Sequence, residues 1–202
     1  MKRLIDACGA VAGLLIAWPL MVIIGVLLWL ESPGGVFYRG VRSGRGGKPF
    51  RIWKFRTMVV DAEKLGGGST AKDDPRVTRV GAILRKHKLD ELPQLINVLT
   101  GEMSLVGPRP ELPRYTNLYE GAEKLILSVK PGITDYASIE YFQLSEVLGR
   151  DNADRIYEQE VQPAKNALRI RYVQERSLST DCRILLLTLR RLASFKRSRS
   201  PS

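Results

Sequence analysis

The amino-acid sequence predicts a mostly helical α+β protein with a membrane segment at its N-terminus. Three features of the 202-residue chain lead to this prediction. Residues 7–30 contain no charged side chain, residues 36–58 mix large apolar with basic side chains around a glycine-rich turn, and most of the later chain has helical spacing. A chain of this length can also bury one hydrophobic core, so we expect a single globular domain beside the membrane segment.

The apolar run at residues 7–30 is the first element. Its 24 residues would form a helix about 36 Å long, against a hydrocarbon core of about 30 Å, so hydropathy alone favours one spanning helix. Two features favour a helix that breaks at Pro19 and returns. A mid-helix proline removes a backbone hydrogen bond, and basic residues flank both ends of the run, where the positive-inside rule places them in the cytoplasm. Charge bias leaves both topologies open.

The distribution of charge indicates an anionic membrane surface as a partner. The net charge is +11, and residues 1–57 contain nine basic residues against two acidic ones. The chain after Asp181 contains six basic residues and no acidic one. The basic excess therefore brackets the most apolar stretches, as expected beside anionic lipid headgroups, and we predict no nucleic-acid partner.

The remaining elements follow from local patterns. Residues 36–41 and 50–58 predict a small β-hairpin with a basic edge, and residues 65–74 predict a polar, glycine-rich loop. Helices are predicted at residues 77–88, 90–101, 111–129, 145–176 (interrupted near Pro163) and 181–195. The last helix is amphipathic, which suits either the membrane interface or ordinary packing.

The chain therefore divides into three predicted parts. Residues 1–32 form the membrane segment, and residues 33–195 form a membrane-associated cytoplasmic domain. Residues 196–202 form a basic tail that we expect to be disordered.

Adjacent carboxylates at Asp90 and Glu91 are the most informative feature of the domain. Asp90 occupies the position of a helix N-cap, so the pair could serve only to start a helix. The surroundings favour a chemical role, because basic residues from three segments accompany the pair: Lys54, Arg56, Arg85, Lys86, Lys88 and Arg109. Such mixed charge is needed where a metal ion and a diphosphate share a site. An aspartate there can bind Mg²⁺ or attack phosphorus, while the second carboxylate deprotonates or orients an acceptor.

Five motifs occur in order along the chain. They are the apolar segment with its central Pro19, Lys-Phe-Arg-Thr-Met at residues 54–58, residues 89–98, which begin Leu-Asp-Glu-Leu-Pro-Gln, residues 101–110, which end Gly-Pro-Arg-Pro, and Lys-Pro-Gly-Ile-Thr at 130–134. Together they resemble the bacterial sugar transferase domain of small monotopic phosphoglycosyl transferases. The resemblance covers most of the chain, and it implies transfer of a sugar 1-phosphate from a UDP-sugar to undecaprenyl phosphate with Mg²⁺ as cofactor.

The resemblance assigns roles residue by residue. Asp90 matches the nucleophile, which attacks the β-phosphate of the donor to form a phosphosugar–aspartate intermediate, and it would also contact Mg²⁺. Glu91 matches the partner that assists the acceptor phosphate. Arg85 and Arg109 match phosphate-binding arginines, and Lys54 matches a basic residue near the pair. We add Arg56, from the same segment as Lys54, as a further phosphate contact.

The resemblance also implies where the protein works. The N-terminal segment would be re-entrant, so the protein would be monotopic in the bacterial inner membrane with its active site facing the cytoplasm. It would carry out the first membrane step of glycoconjugate assembly, for an O-antigen, capsule, exopolysaccharide or glycoprotein glycan. The sequence departs from the family pattern at residues 135–138, Asp-Tyr-Ala-Ser, so the sugar stays open. Homodimer formation stays open as well.

The main alternative is a non-catalytic basic membrane adaptor that binds anionic lipid. It explains the ends of the chain but not an acidic pair among basic residues. An ordinary glycosyltransferase would show a doubly wound strand–helix pattern, which the sequence lacks. A DNA-binding protein would explain only the net charge.

Overall fold

The computed structural model describes residues 1–32, 34–65, 70–149 and 152–197, and these are mostly helical. The described helices are α1 (Lys2–Glu31), α2 (Arg79–Lys86), α3 (Gln94–Thr100), α4 (Pro113–Thr116), α5 (Tyr136–Glu140), α6 (Leu144–Leu148), α7 (Ala153–Ile156), α8 (Gln162–Glu175) and α9 (Leu178–Arg197). The described strands are β1 (Phe37–Tyr38), β2 (Val41–Ser43), β3 (Pro49–Arg51), β4 (Lys54–Phe55), β5 (Ser104–Val106) and β6 (Gly132–Thr134). The predicted mostly helical α+β class is confirmed.

The predicted β-hairpin is present as two nested antiparallel pairs. β2 pairs with β3, with Val41 opposite Arg51, and β1 pairs with β4, with Phe37 opposite Phe55. A further pair, the parallel β5–β6, was not predicted, because strands of three residues are too short to show a periodic pattern. This pair brings two of the sequence motifs side by side, and the loop that carries Arg109 follows β5.

The N-terminal segment is one continuous helix of 30 residues, and Pro19 lies inside it. The predicted break at Pro19 is therefore not seen as an interruption of the helix. Both ends of α1 nevertheless pack against the domain, with Asp6 and Ala10 buried near its start and Ile24 and Leu28 buried near its end. None of the residues between Ala10 and Ile24 is buried. By length and composition, α1 is the one helix in the described chain that could cross a membrane.

A buried carboxylate fixes the start of α1. Asp6 accepts hydrogen bonds from the Leu105 backbone N–H at 3.0 Å and from the Ser104 hydroxyl at 2.9 Å. Lys2 forms an ion pair with Asp181 of α9. The first turns of α1 are therefore held by both β5 and α9.

Replacing Asp6 by alanine is expected to lower the free energy of unfolding by about 2 kcal/mol, because two interior donors lose their acceptor. Thermal unfolding in detergent measures the change. Glu120→Ala removes an exposed carboxylate and serves as the control, with little expected change. An Asp6→Ala protein as stable as the control would contradict the anchoring role.

Several helix predictions are corrected by the structure. The helix predicted at residues 111–129 is instead the short α4 and a 3₁₀ segment, Gly121–Ser128, whose first residue has φ +49°. The predicted interruption near Pro163 is present as a π-helical turn, Tyr157–Val161, which joins α7 to α8 directly before the proline, so residues 153–175 form one continuous helical stretch. α9 continues to Arg197, so the first two residues of the predicted tail are helical. Residues 198–202 of that tail, and residues 66–69 of the glycine-rich loop, lie outside the described residues.

Candidate active site

A cavity of about 640 Å³ brings together most of the predicted site residues. Lys54, Arg85, Asp90, Glu91 and Arg109 all line it, although they come from four separate segments of the chain. The volume lies within the range of pockets that hold small-molecule ligands. The cavity is therefore the candidate active site.

The two carboxylates lie in a 3₁₀ turn, Leu89–Glu91, between α2 and α3. Lys88 precedes the turn in the left-handed conformation at φ +58°, where it reverses the chain after α2. Asp90 is 5% exposed and Glu91 is 9% exposed. The expected role of Asp90 as a helix N-cap is wrong, because α3 begins only after Pro93 and has no side-chain cap. The helix-start explanation for the acidic pair is thereby removed.

Glu91 is held by two basic side chains. Arg109 donates to both of its oxygens, with Nη1 at 2.7 Å from Oε2 and Nη2 on Oε1. Lys54 Nζ lies 3.2 Å from Oε1. Burial opposes ionisation of Glu91, but Arg109 and Lys54 outweigh it and hold the pKa of this carboxyl well below its ordinary value. Glu91 is therefore ionised and fully occupied.

Asp90 has a different environment. Its closest cation is Lys54, whose Nζ lies 4.0 Å from Oδ2, and its Oδ1 is buried without a hydrogen-bond partner among the described residues. Burial raises the pKa of Asp90 above its ordinary value, and Lys54 opposes this only in part. One carboxylate is thus neutralised by its neighbours while the adjacent one keeps an oxygen free for chemistry. Divergent pKa values in a pair of acids indicate different roles for the two.

Arg109 is positioned by its backbone as well as by Glu91. Its N–H donates to Asp135 Oδ2 at 3.1 Å, and Asp135 is fully buried. Gly132 lies so close to Gly107 that a Cβ on Gly132 would come within 2.0 Å of the Gly107 nitrogen, so neither strand tolerates a larger residue there. Asp135 also caps α5 by accepting from the Ser138 N–H at 2.7 Å. The departure from the family pattern at residues 135–138 therefore includes a structural support for Arg109.

The two remaining predicted phosphate contacts differ from each other. Arg85 donates from Nη2 to the Thr70 hydroxyl at 2.9 Å, and its Nη1 is buried without a partner among the described residues. Burial lowers the pKa of Arg85. Arg56, by contrast, does not line the cavity and donates to the carbonyl of Ser32 at 2.8 Å, just after α1. The structure thus brings Arg85 to the carboxylate pair and directs Arg56 to the end of α1.

Asp90 is the residue that could hold a metal ion. No group of three or more ligating side chains occurs in the part of the chain that the structure describes. Mg²⁺ is commonly bound by one or two carboxylates together with substrate phosphates and water, so a protein cage is not required. The buried, unpartnered Oδ1 of Asp90 fits such a site.

The profile of the bacterial sugar transferase family matches residues 1–194 of the chain. The chain belongs to this family.

Several relatives of this bacterial sugar transferase have names that specify a reaction. A Bacillus subtilis protein provisionally named undecaprenyl-phosphate N-acetylgalactosaminyl 1-phosphate transferase is 49% identical over 120 residues, which are 59% of this chain and 67% of that protein. The UDP-glucose:undecaprenyl-phosphate glucose-1-phosphate transferase of Escherichia coli is 40% identical over 94% of this chain, which spans only 39% of that protein. The uncharacterised sugar transferase EpsL of Bacillus subtilis is 38% identical over 95% of this chain and 87% of its own length.

A second group of buried charges lies beside the cavity, and the sequence did not lead us to predict it. Glu111 and Lys165 both line it, and Glu111 accepts a hydrogen bond from the buried Arg169 at 2.6 Å. Arg169 and the adjoining Asp135 are both fully buried. Two signals were available, since Glu111 directly follows the Gly-Pro-Arg-Pro motif and the two basic residues are spaced i, i+4 on one helix.

Proposed function

We propose that the protein transfers a sugar 1-phosphate from a UDP-sugar to undecaprenyl phosphate through a covalent phosphosugar–Asp90 intermediate. One observation carries the proposal: Asp90 is a buried carboxylate with a free oxygen, beside a fully paired Glu91, in a cavity lined by basic residues. The names of several relatives specify the same donor class and acceptor. The non-catalytic adaptor gives no reason to keep an unpartnered acid buried at this position.

The reaction proceeds in two displacements at the same phosphorus. A carboxylate oxygen of Asp90 attacks the β-phosphate of the donor, and the bond from that phosphorus to the bridging oxygen breaks, so that UMP leaves with the electron pair. A phosphate oxygen of undecaprenyl phosphate then attacks the acyl-phosphate phosphorus and releases the Asp90 carboxylate. Polyprenyl diphosphate-sugar is the product, and no other reactant is needed.

Glu91 acts chiefly by position in this scheme. Its lowered pKa makes it a weak base, and a phosphate monoester has lost most of its second proton at neutral pH. The acceptor phosphate therefore has almost no proton for Glu91 to remove. Glu91 holds Arg109 and Lys54 in place, so that these two cations face the transferring phosphoryl group.

Mg²⁺ would be held by Asp90 and the diphosphate of the donor, and when bound it neutralises charge that develops on the leaving phosphate. Arg85 adds a guanidinium nitrogen that has no partner among the described residues. Phosphate oxygens are suitable acceptors for it. Lys54, Arg85 and Arg109 therefore form the phosphate-binding group.

The contacts of α1 support a monotopic, re-entrant arrangement at the cytoplasmic face of the bacterial inner membrane, in which the uninterrupted helix would bend at Pro19 instead of breaking there. A straight helix of 30 residues is about 45 Å long, and one that crossed the bilayer would carry Lys2 to the face opposite the domain. Lys2 instead pairs with Asp181, while Glu31 at the other end accepts from the Val80 N–H at 2.9 Å. The exposed apolar middle of α1 would enter the bilayer, and the exposed Leu186 and Leu189 of α9 would lie at its interface.

Labelling of single cysteines tests this topology. With Cys8 and Cys182 changed to serine, we expect Lys2→Cys and Arg45→Cys to react with a membrane-impermeant maleimide from the same side of sealed inverted vesicles. Reaction of the two positions from opposite sides would contradict the re-entrant arrangement and favour a spanning helix.

Mass spectrometry of the intact protein and of its peptides tests the reaction itself. The purified protein is incubated with Mg²⁺ and separately with UDP-glucose, UDP-galactose and UDP-N-acetylgalactosamine, and UMP release is measured in parallel. We expect one donor to add the mass of its sugar phosphate to the peptide that contains Asp90. UMP release without any adduct on that peptide would contradict the covalent intermediate.

A further inference from the structure

The cavity has a second polar end that the proposed chemistry leaves unexplained. Lys165 of α8 lines the cavity yet is only 5% exposed. Its amine forms no hydrogen bond and no ion pair with any residue that the structure describes. Lys165 Nζ lies 5.0 Å from the centre of the Tyr157 ring and 5.9 Å from the centre of the Tyr141 ring. The Lys165 side chain is thus almost fully buried while its amine faces the cavity without a protein acceptor, which indicates that a ligand supplies the acceptor.

The nearest acid does not neutralise Lys165, because it is already occupied. Glu111 accepts from the Arg169 guanidinium at 2.6 Å and from the Tyr157 hydroxyl. Arg169, then the charge of Lys165 and then the Tyr157 hydroxyl hold the pKa of Glu111 down to about 2 in spite of its burial. Lys165 therefore lies beside a completed ion pair and keeps its capacity for an anionic ligand.

Only one end of the cavity packs against α1. Leu89 and Leu92, which flank the Asp90 turn, pack in one cluster with Ile24 and Leu28 of α1. Tyr115 and Tyr157 belong to a separate cluster that includes no residue of α1. A lipid acceptor must reach Asp90 from the side of the cavity that packs against α1. A water-soluble leaving group can bind at the other end, away from α1.

From this arrangement we infer that Lys165, together with Tyr115 and Tyr157, forms the subsite for the nucleoside monophosphate half of the donor. The inference rests on the proposed function, because it takes a nucleotide sugar as the substrate. The ammonium group binds the phosphate that becomes the leaving group, and the two tyrosines, which are 4% and 5% exposed, form an apolar wall beside the base. The sugar phosphate is then left at the Asp90 end, where the lipid phosphate arrives.

The pKa of Lys165 supports the assignment. Burial first, and then the charge of Arg169, lowers it to about 7, while Glu111 and Asp135 oppose the shift and Arg109 adds to it. Above pH 7 the free protein therefore has a largely neutral amine, and a bound phosphate would draw a proton to it. We expect the affinity of the wild-type protein for UMP to fall as pH rises from 7 to 9, because protonation of Lys165 must accompany binding.

Substitution of Lys165 tests the subsite. Lys165→Gln and Lys165→Met are expected to raise the KM for the UDP-sugar and the dissociation constant of UMP by about tenfold or more. Both variants should remain folded, since each removes a cation that has no hydrogen-bond acceptor and no ion pair among the described residues. Lys124→Gln, at an exposed lysine outside the cavity, should change none of these values.

Isothermal titration with UMP requires no turnover, so it separates this inference from the proposed function. The proposed function fails if no UDP-sugar yields UMP or an Asp90 adduct. The subsite assignment fails if both Lys165 variants bind UMP like the wild type, or if donor KM rises while UMP binding does not change, because the amine would then serve the sugar. Loss of folding in both variants would also overturn it, since Lys165 would then be a structural residue.

Discussion

Replacement of Asp90 by asparagine is expected to lower turnover by about 10³-fold or more and to abolish the covalent adduct. The amide keeps the size and shape of the side chain, but its oxygen is a poor nucleophile toward phosphorus and its nitrogen cannot attack as a carboxylate does. UMP release, transfer to undecaprenyl phosphate and intact mass are the measurements. Because Asp90 is buried beside Lys54 without a strong ion pair, we expect the variant to remain folded.

Asp61→Asn is a suitable control, because it makes the same chemical change at an exposed aspartate outside the cavity. It should retain activity within about twofold. If Asp90→Asn turned over the correct donor at the wild-type rate, the covalent mechanism would be wrong. Loss of turnover with retention of UMP binding, by contrast, would place the defect in the chemical step.

Replacement of Arg109 by lysine is expected to lower kcat/KM by about 10²-fold, although the charge is kept. Arg109 donates to both oxygens of Glu91, and a lysine ammonium cannot reproduce this planar, two-point contact. Glu91 and Lys54 would then lose their fixed geometry beside the phosphoryl group. Steady-state kinetics with the correct donor measures the loss, and thermal unfolding separates it from a loss of folded protein.

Arg171→Lys makes the same exchange at an exposed arginine that lies 2.9 Å from Glu175 and does not line the cavity. Pairs of this kind contribute little to stability, so activity should change by less than about twofold. Equal activity of Arg109→Lys and the wild type would show that charge alone suffices at this position. It would also remove the positioning role that we assign to Glu91.

The sequence alone determined the fold class, the long apolar helix at the N-terminus and most of the candidate site. These features depend on local signals: an uncharged run of 24 residues, helical spacing of apolar side chains, and short motifs that hold a constant order. Lys54, Arg85, Asp90, Glu91 and Arg109 were all predicted from such motifs, and all five line one cavity. Arg56 was predicted in the same way but faces Ser32, because position within a motif does not determine the direction of a side chain.

What only the tertiary structure decided are the features that depend on residues far apart in the chain. The pairing of β5 with β6 joins segments 28 residues apart, and it placed Asp135 under Arg109. Glu91 is neutralised while Asp90 keeps an oxygen without a partner, and this contrast depends on which cations reach each carboxylate oxygen. The spacing of residues along the chain does not specify those distances. The contacts at both ends of α1 likewise depend on tertiary structure. So does the position of the Lys165 amine, which has no hydrogen-bond acceptor among the described residues. Sequence specifies the groups available for chemistry, but packing sets their distances and burial, and these determine which groups can react.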